Sequence, residues 1–121
     1  MHGSDGTDEL TTTGVSYVSE LKDGQVSNFE VTPEDAGLPK AKPKDLKGGD
    51  AKANAKALTA VLDGKPGPYR DVIAYNAGAA LVVADKADDL KSGVEMAQAA
   101  LDDGRAKGVL EKMIAITSGK A

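Results

Sequence analysis

Two hydrophobic periods divide the chain: apolar side chains alternate from Val15 to Leu21, and from residue 50 onward they recur every three or four positions. The first period predicts strand and the second predicts helix. Val15, Tyr17 and Leu21 precede Asp23-Gly24, a type I′ turn signal, and Val26 to Thr32 follows, so a β-hairpin is predicted over 15–32. Val26 lies on the opposite parity from Phe29 and Val31, which predicts a bulge or a slipped register in the second strand. Thr32-Pro33-Glu34-Asp35 has a capping residue, a proline at the first helical position and an acid three residues after the cap. One short turn is expected there, stopped by Gly37 and Pro39. In the rest of the connector, 33–49, Pro43 excludes a continuous helix.

Four helices are predicted across 50–118. Asp50 caps the first, whose apolar side is Ala57, Leu58, Val61 and Leu62 and which Gly64 closes. Pro68 opens the second; from Val72 to Ala84 it is apolar on nearly every face, interrupted by Asn76 and the small Gly78, so it is expected at the centre. Asp88 or Asp89 caps the third, with Leu90, Val94, Ala97 and Leu101 on one stripe, and Gly104 ends it. The fourth uses Ala106, Val109, Leu110, Met113, Ile114 and Thr117. Strand and helix do not alternate, so the class is α+β: an N-terminal loop and hairpin followed by a four-helix cluster. Residues 1–121 read as a single domain or part of one, because a two-stranded hairpin is marginal unless something covers it.

Composition narrows the function. The chain has 121 residues and a net charge of -4, with its basic residues scattered, so a nucleic-acid partner is not expected. It lacks cysteine, which excludes disulfides and thiolate metal sites. No apolar run approaches a membrane span, and Met1 to Asp8 is polar and acidic, so neither membrane insertion nor secretion is expected and the cytoplasm is the anticipated compartment. With three Tyr, one Phe and no Trp, the core must be built mainly from Ala, Val, Leu and Ile. Such a core is thin for its length.

The chemistry concentrates in 1–14, a loop rich in glycine, threonine and acids. His2-Gly3-Ser4-Asp5-Gly6-Thr7-Asp8-Glu9-Leu10-Thr11-Thr12-Thr13-Gly14 resembles the H-G-x-x-G-x-D-E-x-x-x-T-x segment of anthranilate phosphoribosyltransferases. The resemblance continues through Leu46-Lys47-Gly48-Gly49-Asp50 with Asn54-Ala55, Val61-Leu62-Asp63-Gly64, and Gly67-Pro68-Tyr69-Arg70-Asp71 leading to Asn76-Ala77. It implies the C-terminal part of a larger α/β phosphoribosyltransferase domain of nucleoside-phosphorylase-like fold. It also implies transfer of phosphoribosyl from phosphoribosyl pyrophosphate to the amine of anthranilate in tryptophan biosynthesis, by a cytoplasmic homodimer assisted by Mg²⁺. The family's metal-holding Asp-Glu pair is matched by Asp8 and Glu9. Asp5 has a weaker claim, because the motif does not demand an acid there. The family's upstream parts have no match here: the glycine-rich pyrophosphate loop, the phosphoribose and anthranilate ligands and the N-terminal helical domain. The isolated chain is therefore expected to be inactive, needing an N-terminal region or partner chain.

Plainer readings stand beside these. Two adjacent acids in a polar loop are ordinarily solvated surface, and the spacing of Asp5, Asp8 and Glu9 fails the calcium-loop pattern. His2 has no nucleophile paired with it and reads as a surface residue. Gly48-Gly49-Asp50 lacks the Lys and Ser or Thr of a phosphate loop, so Asp50 reads as a helix cap. Asn76 is either satisfied by a backbone neighbour or a tether for Thr11 to Thr13. Arg70 and Asp71 read as a local ion pair or cap at a helix start. The competing functions are a pyrimidine nucleoside phosphorylase-like relative, which should lack Gly48-Gly49-Asp50 followed by Asn54-Ala55, and a non-catalytic or split-enzyme fragment.

Overall fold

Asp23 and Gly24 both take positive φ, 51° and 76°, as a type I′ turn requires at its two central positions. They join β2 (Ser16–Lys22) to β3 (Gln25–Val31) in an antiparallel ladder that runs without interruption from Lys22 opposite Gln25 to Ser16 opposite Val31. The expected bulge is absent. Leu21 and Val26 pair directly on one face of the ladder while Val18 and Phe29 pair on the other, so the change of parity records apolar residues on both faces. Val18 and Val31 pack towards the core, whereas Tyr17, Leu21 and Val26 are exposed. A third strand, β1 (His2–Gly3), pairs with Tyr17 and Ser16 and was not legible, because two residues carry no period.

This computed structural model describes residues 1–120, in which a 3₁₀ turn at Pro33–Ala36 and another at Pro43–Leu46 lead into four helices: α1 (Ala51–Leu62), α2 (Pro68–Val83), α3 (Leu90–Asp102) and α4 (Arg105–Thr117). Thr32 and Asp35 form the expected reciprocal cap of the first turn. Asp50 caps α1 by accepting the Ala53 N–H at 2.8 Å, and Asn54 adds a second device by gripping Gly49, accepting its N–H at 2.8 Å and donating to its carbonyl at 3.0 Å. The Gly48-Gly49-Asp50 block is thus explained by helix initiation. Asp89, rather than Asp88, caps α3 through Ser92.

The core gathers Leu10, Ala36, Leu38, Ala74, Tyr75, Val94 and Ala97, so it lies where the N-terminal loop, the first 3₁₀ turn, α2 and α3 meet. Its side chains are small, and close backbone approach compensates for their lack of bulk. A Cβ added to Gly93 would sit 2.5 Å from the Gly78 carbonyl oxygen, and one added to Gly78 would sit 2.7 Å from the Val94 nitrogen. Only glycine at both positions lets α2 and α3 touch along their backbones. By contrast α4 buries no residue, and Val109, Met113, Ile114 and Ile116 are exposed. Its Lys107 pairs with Asp63 at 2.6 Å, but both side chains are about half exposed, so solvent screens the pair and it adds little.

Arg70 and Asp71 do not form the local pair read from sequence. Neighbouring helical residues face different directions, and Arg70, 9% exposed, reaches instead to the end of α3. Its Nη2 lies 2.8 Å from Asp102 Oδ1 and donates to the Gln98 carbonyl at 3.3 Å, placing positive charge where the α3 dipole is negative. Burial raises the Asp71 carboxyl above its ordinary range, against the opposing pull of the Arg70 charge.

Asn76, on α2, ties the N-terminal loop to the helices. Its Oδ1 accepts the Leu10 N–H at 2.9 Å, and its Nδ2 donates to the Leu10 carbonyl at 2.9 Å and to the Val72 carbonyl at 3.0 Å. The first sequence reading is realised, since Asn76 is satisfied by backbone groups, and the second is corrected: the residue it tethers is Leu10, not Thr11 to Thr13. Leu10 is only 1% exposed, so without Asn76 both of its backbone groups would be buried and unpaired.

Four stability outcomes follow from these contacts and are checked by urea unfolding. Gly93→Ala is expected to destabilise by about 1–3 kcal/mol through overpacking, whereas Gly108→Ala, with nothing within 4 Å of its added Cβ, is expected to stabilise by about 0.4–1 kcal/mol. Asn76→Ala is expected to cost about 2–4 kcal/mol from two orphaned backbone groups. Asn76→Asp should lose at least as much despite its identical shape, since its second oxygen would face two carbonyls; parental stability in that variant would refute the clamp.

Candidate functional site

The site loop runs from β1 to β2, and its course is set by backbone bonds and one crowded glycine. Gly3 donates to the Thr7 carbonyl at 2.9 Å, Gly6 to the Gly3 carbonyl at 3.2 Å and Ser4 to the Val15 carbonyl at 2.9 Å, so residues 3–7 curl into a tight turn. Gly6 takes φ +90°, which the turn requires. A Cβ on Gly3 would lie 2.6 Å from both Asp5 Oδ1 and Thr7 Oγ1, so a side chain there would collide with the loop's own polar atoms. On the return path Thr11 N donates to Ser16 Oγ at 2.9 Å, and Ala41 N donates to the Thr12 carbonyl at 2.8 Å. Between these fixed ends the chain turns outward at Asp8 and Glu9, both exposed, before Leu10 enters the core.

Asp5 is the loop's internal acceptor. Its Oδ1 accepts the Thr7 hydroxyl at 2.8 Å and the Thr7 N–H at 3.2 Å; its Oδ2 accepts the Thr11 and Thr13 hydroxyls, each at 2.7 Å. Burial alone would raise this carboxyl, but the hydroxyls of Thr11, Thr13 and Thr7 and the Thr7 N–H together hold it well below the usual carboxylate range. Sequence reasoning weighed Asp5 only as a weak metal ligand and missed this role. The signal was present in the threonines at positions 7, 11 and 13, which are short hydroxyl donors surrounding one acid.

Asp8 and Glu9 are in a different environment. The Glu9 carboxyl is raised above its ordinary range, first by a hydrogen bond with the Asp8 side chain, then by burial, and then by the negative charges of Asp8 and Asp5. Two acidic side chains placed this close repel one another when ionised. A divalent cation would remove that repulsion. Among the described residues no group of three or more His, Cys, Asp or Glu is placed to hold a metal, so the chain offers two hard oxygen ligands and no cage. That donor set fits Mg²⁺, which takes one or two carboxylates and fills the rest of its shell with water and substrate phosphates.

The other singled-out residues lie elsewhere. His2 is exposed on the edge strand with its ring 5.2 Å from that of Tyr17 and inclined at 39°. Two open clefts among the helices, of about 400 and 530 Å³, include neither Asp8 nor Glu9. The first is lined by Lys47, Gly49, Asn54, Lys65 and Arg70, and the second chiefly by alanines of α2 and α3.

The chain has relatives among known proteins. The chain is similar to the anthranilate phosphoribosyltransferase of Rhodopseudomonas palustris (strain TIE-1), 57% identical over 118 residues, which is 98% of this chain and 35% of the relative. It is similar to that of Rhodospirillum rubrum, 54% identical over 121 residues, 100% of this chain and 35% of the relative. The crystal structure of the Thermus thermophilus enzyme superposes with a TM-score of 0.85 at 38% identity, over 94% of this chain and 33% of that one. The Saccharomyces cerevisiae enzyme in complex with PRPP and Mg superposes with a TM-score of 0.88 at 25% identity, over 98% of this chain and 34% of that one. The chain therefore spans about a third of the length of the curated relatives it matches. The family model for the a/b domain of the glycosyl transferase family matches residues 1–107, from the site loop into α4, and the chain belongs to that family.

Proposed function

We propose that this chain supplies the metal-holding part of an anthranilate phosphoribosyltransferase, with Asp8 and Glu9 as the Mg²⁺ ligands. The observation that carries the reading is the outward-facing acidic pair on a loop anchored to the core by Asn76. Relatives named for this activity match nearly the whole chain, and a solved relative is described with PRPP and Mg.

In the reaction the amine of anthranilate attacks C1′ of phosphoribosyl pyrophosphate, the bond from C1′ to the pyrophosphate oxygen breaks, and the amine loses a proton. Negative charge gathers on the departing pyrophosphate, and what Mg²⁺ supplies when bound is positive charge beside it. Asp8 and Glu9 would hold the ion, and two carboxylates alone would not complete its shell. Asn76 and the threonines keep both carboxylates facing solvent and the incoming substrate. The remaining substrate contacts belong to polypeptide beyond this chain, provided as part of a longer enzyme, assembled as a homodimer, or as a separate N-terminal partner. Exposed apolar side chains on the outer face of the hairpin and along α4 favour packing against such further structure.

The test uses the 121-residue chain and a chimera in which it replaces the matching third of the Rhodospirillum rubrum relative. Purified alone, the chain is expected to form no phosphoribosyl anthranilate; formation of product by it would overturn the division of labour. In the chimera, Asp8→Asn combined with Glu9→Gln is expected to lower turnover about 100-fold or more and to raise the Mg²⁺ requirement. Turnover and Mg²⁺ dependence equal to the parent chimera, in a variant folded by circular dichroism, would refute the metal assignment.

A further inference from the structure

We propose that Asp5 is a positioning residue for the acidic pair: its carboxylate, fully occupied by threonine donors, fixes Asp8-Glu9 at the loop apex without touching the cation itself. The inference rests on Asp8 and Glu9 holding the ion and assigns the residue that shapes the site around them.

Three features of the loop carry it. A carboxylate offers about four acceptor positions, and Asp5 uses that capacity within the protein, two donors on Oδ1 and two on Oδ2. An oxygen so engaged would have to release a hydroxyl or an N–H before it could coordinate a metal. The donors also flank the pair in sequence: Thr7 immediately precedes Asp8, while Thr11 and Thr13 follow Glu9 and Leu10. One side chain therefore joins the two limbs of the loop beneath its apex. Finally, Gly3 packs against this junction so closely that the site of a Cβ would be 2.6 Å from Asp5 Oδ1, 2.6 Å from Thr7 Oγ1 and 2.8 Å from Thr11 Cγ2. Gly3 thus closes one side of the Asp5 carboxylate.

Asp8 and Glu9 show the complementary pattern. Among the described residues no backbone N–H or hydroxyl donates to either carboxylate, and both residues are exposed. The loop thus divides its three acids by hydrogen bonding, with one carboxylate engaged by protein donors and two left for an external cation.

The hydroxyls provide the decisive variants, because they can be removed while every carboxylate stays. Thr11→Val with Thr13→Val, Thr11→Ser with Thr13→Ser, and Asp5→Asn are each made in the 121-residue chain and in the chimera. Amide hydrogen exchange of Thr7 to Thr13 is read on the metal-free chain; Mn²⁺ affinity and the Mg²⁺ requirement for transfer are read on the chimera. The valine pair is expected to speed exchange in the loop and to weaken Mn²⁺ binding and raise the Mg²⁺ requirement roughly 10-fold or more. The serine pair, which restores hydroxyls but not methyls, is expected to return both readouts towards the parent. Asp5→Asn should be milder than the valine pair, since the threonine hydroxyls can turn to accept from its amide. Parental exchange and parental metal affinity in the valine pair would overturn the proposal. So would an Asp5→Asn variant that loses Mn²⁺ as fully as Asp8→Asn while the valine pair keeps it, which would make Asp5 a ligand. If the valine pair does not fold, Thr13→Val alone, at the less buried hydroxyl, is judged by the same criteria. Parental Mn²⁺ affinity in Asp8→Asn and Glu9→Gln instead refutes the underlying metal reading, on which loop exchange does not depend.

Discussion

The carboxamide of Asn76 is the constraint on which the site depends. A polar loop of glycines, threonines and acids has little hydrophobic surface with which to hold itself against the protein. Leu10 is the exception, and it enters the core only because Asn76 pairs both of its backbone groups. Burying those groups unpaired would offset much of the about 2 kcal/mol gained by burying the leucine side chain. One side chain thereby ties the loop to α2, and the acidic pair immediately precedes the tied residue.

The same device recurs at Asn54, which grips both backbone groups of Gly49 before α1. A carboxamide suits such a task because it presents an acceptor and a donor side by side, matching the N–H and C=O of one residue. The protein relies on this directional bonding where bulk is scarce. Its core contains one fully buried aromatic, Tyr75, surrounded by alanines, valine and leucines, and α2 meets α3 through Gly78 and Gly93 rather than through interlocking large side chains. Where neither device operates, as along α4, the helix lies on the surface with its apolar side uncovered.

The elements that were legible in the sequence are those specified locally. Asp23-Gly24 signals its turn, Thr32 with Asp35 its cap, Asp50 and Asp89 their helix starts, and the apolar spacing of Val94, Ala97 and Leu101 the buried stripe of α3. Features that depend on distant partners were not legible. The two-residue β1 exists because Ser16 and Tyr17 are available to pair with it, and Arg70 ignores its neighbour Asp71 because the end of α3 lies within reach. The expected register slip in β3 failed because the alternation rule assumes one apolar face, whereas this hairpin carries apolar residues on both. In the site loop the motif identified Asp8 and Glu9 as candidates, but not the hydrogen bonds through which Asp5 organises the segment around them. Those bonds require knowledge of how residues 5, 7, 11 and 13 converge.

The link from Leu10 to Asn76 spans 66 residues. During synthesis the acidic pair leaves the ribosome before its anchor exists, by roughly 3–13 s at ordinary elongation rates. Until α2 emerges and docks, the backbone groups of Leu10 lack their partner, and long-range closure of this kind is a slow part of folding. The last anchor of the loop that carries Asp8 and Glu9 is thus made 66 residues after the leucine it holds. A nascent polypeptide halted before α2 would carry both acids without the geometry that makes them a site.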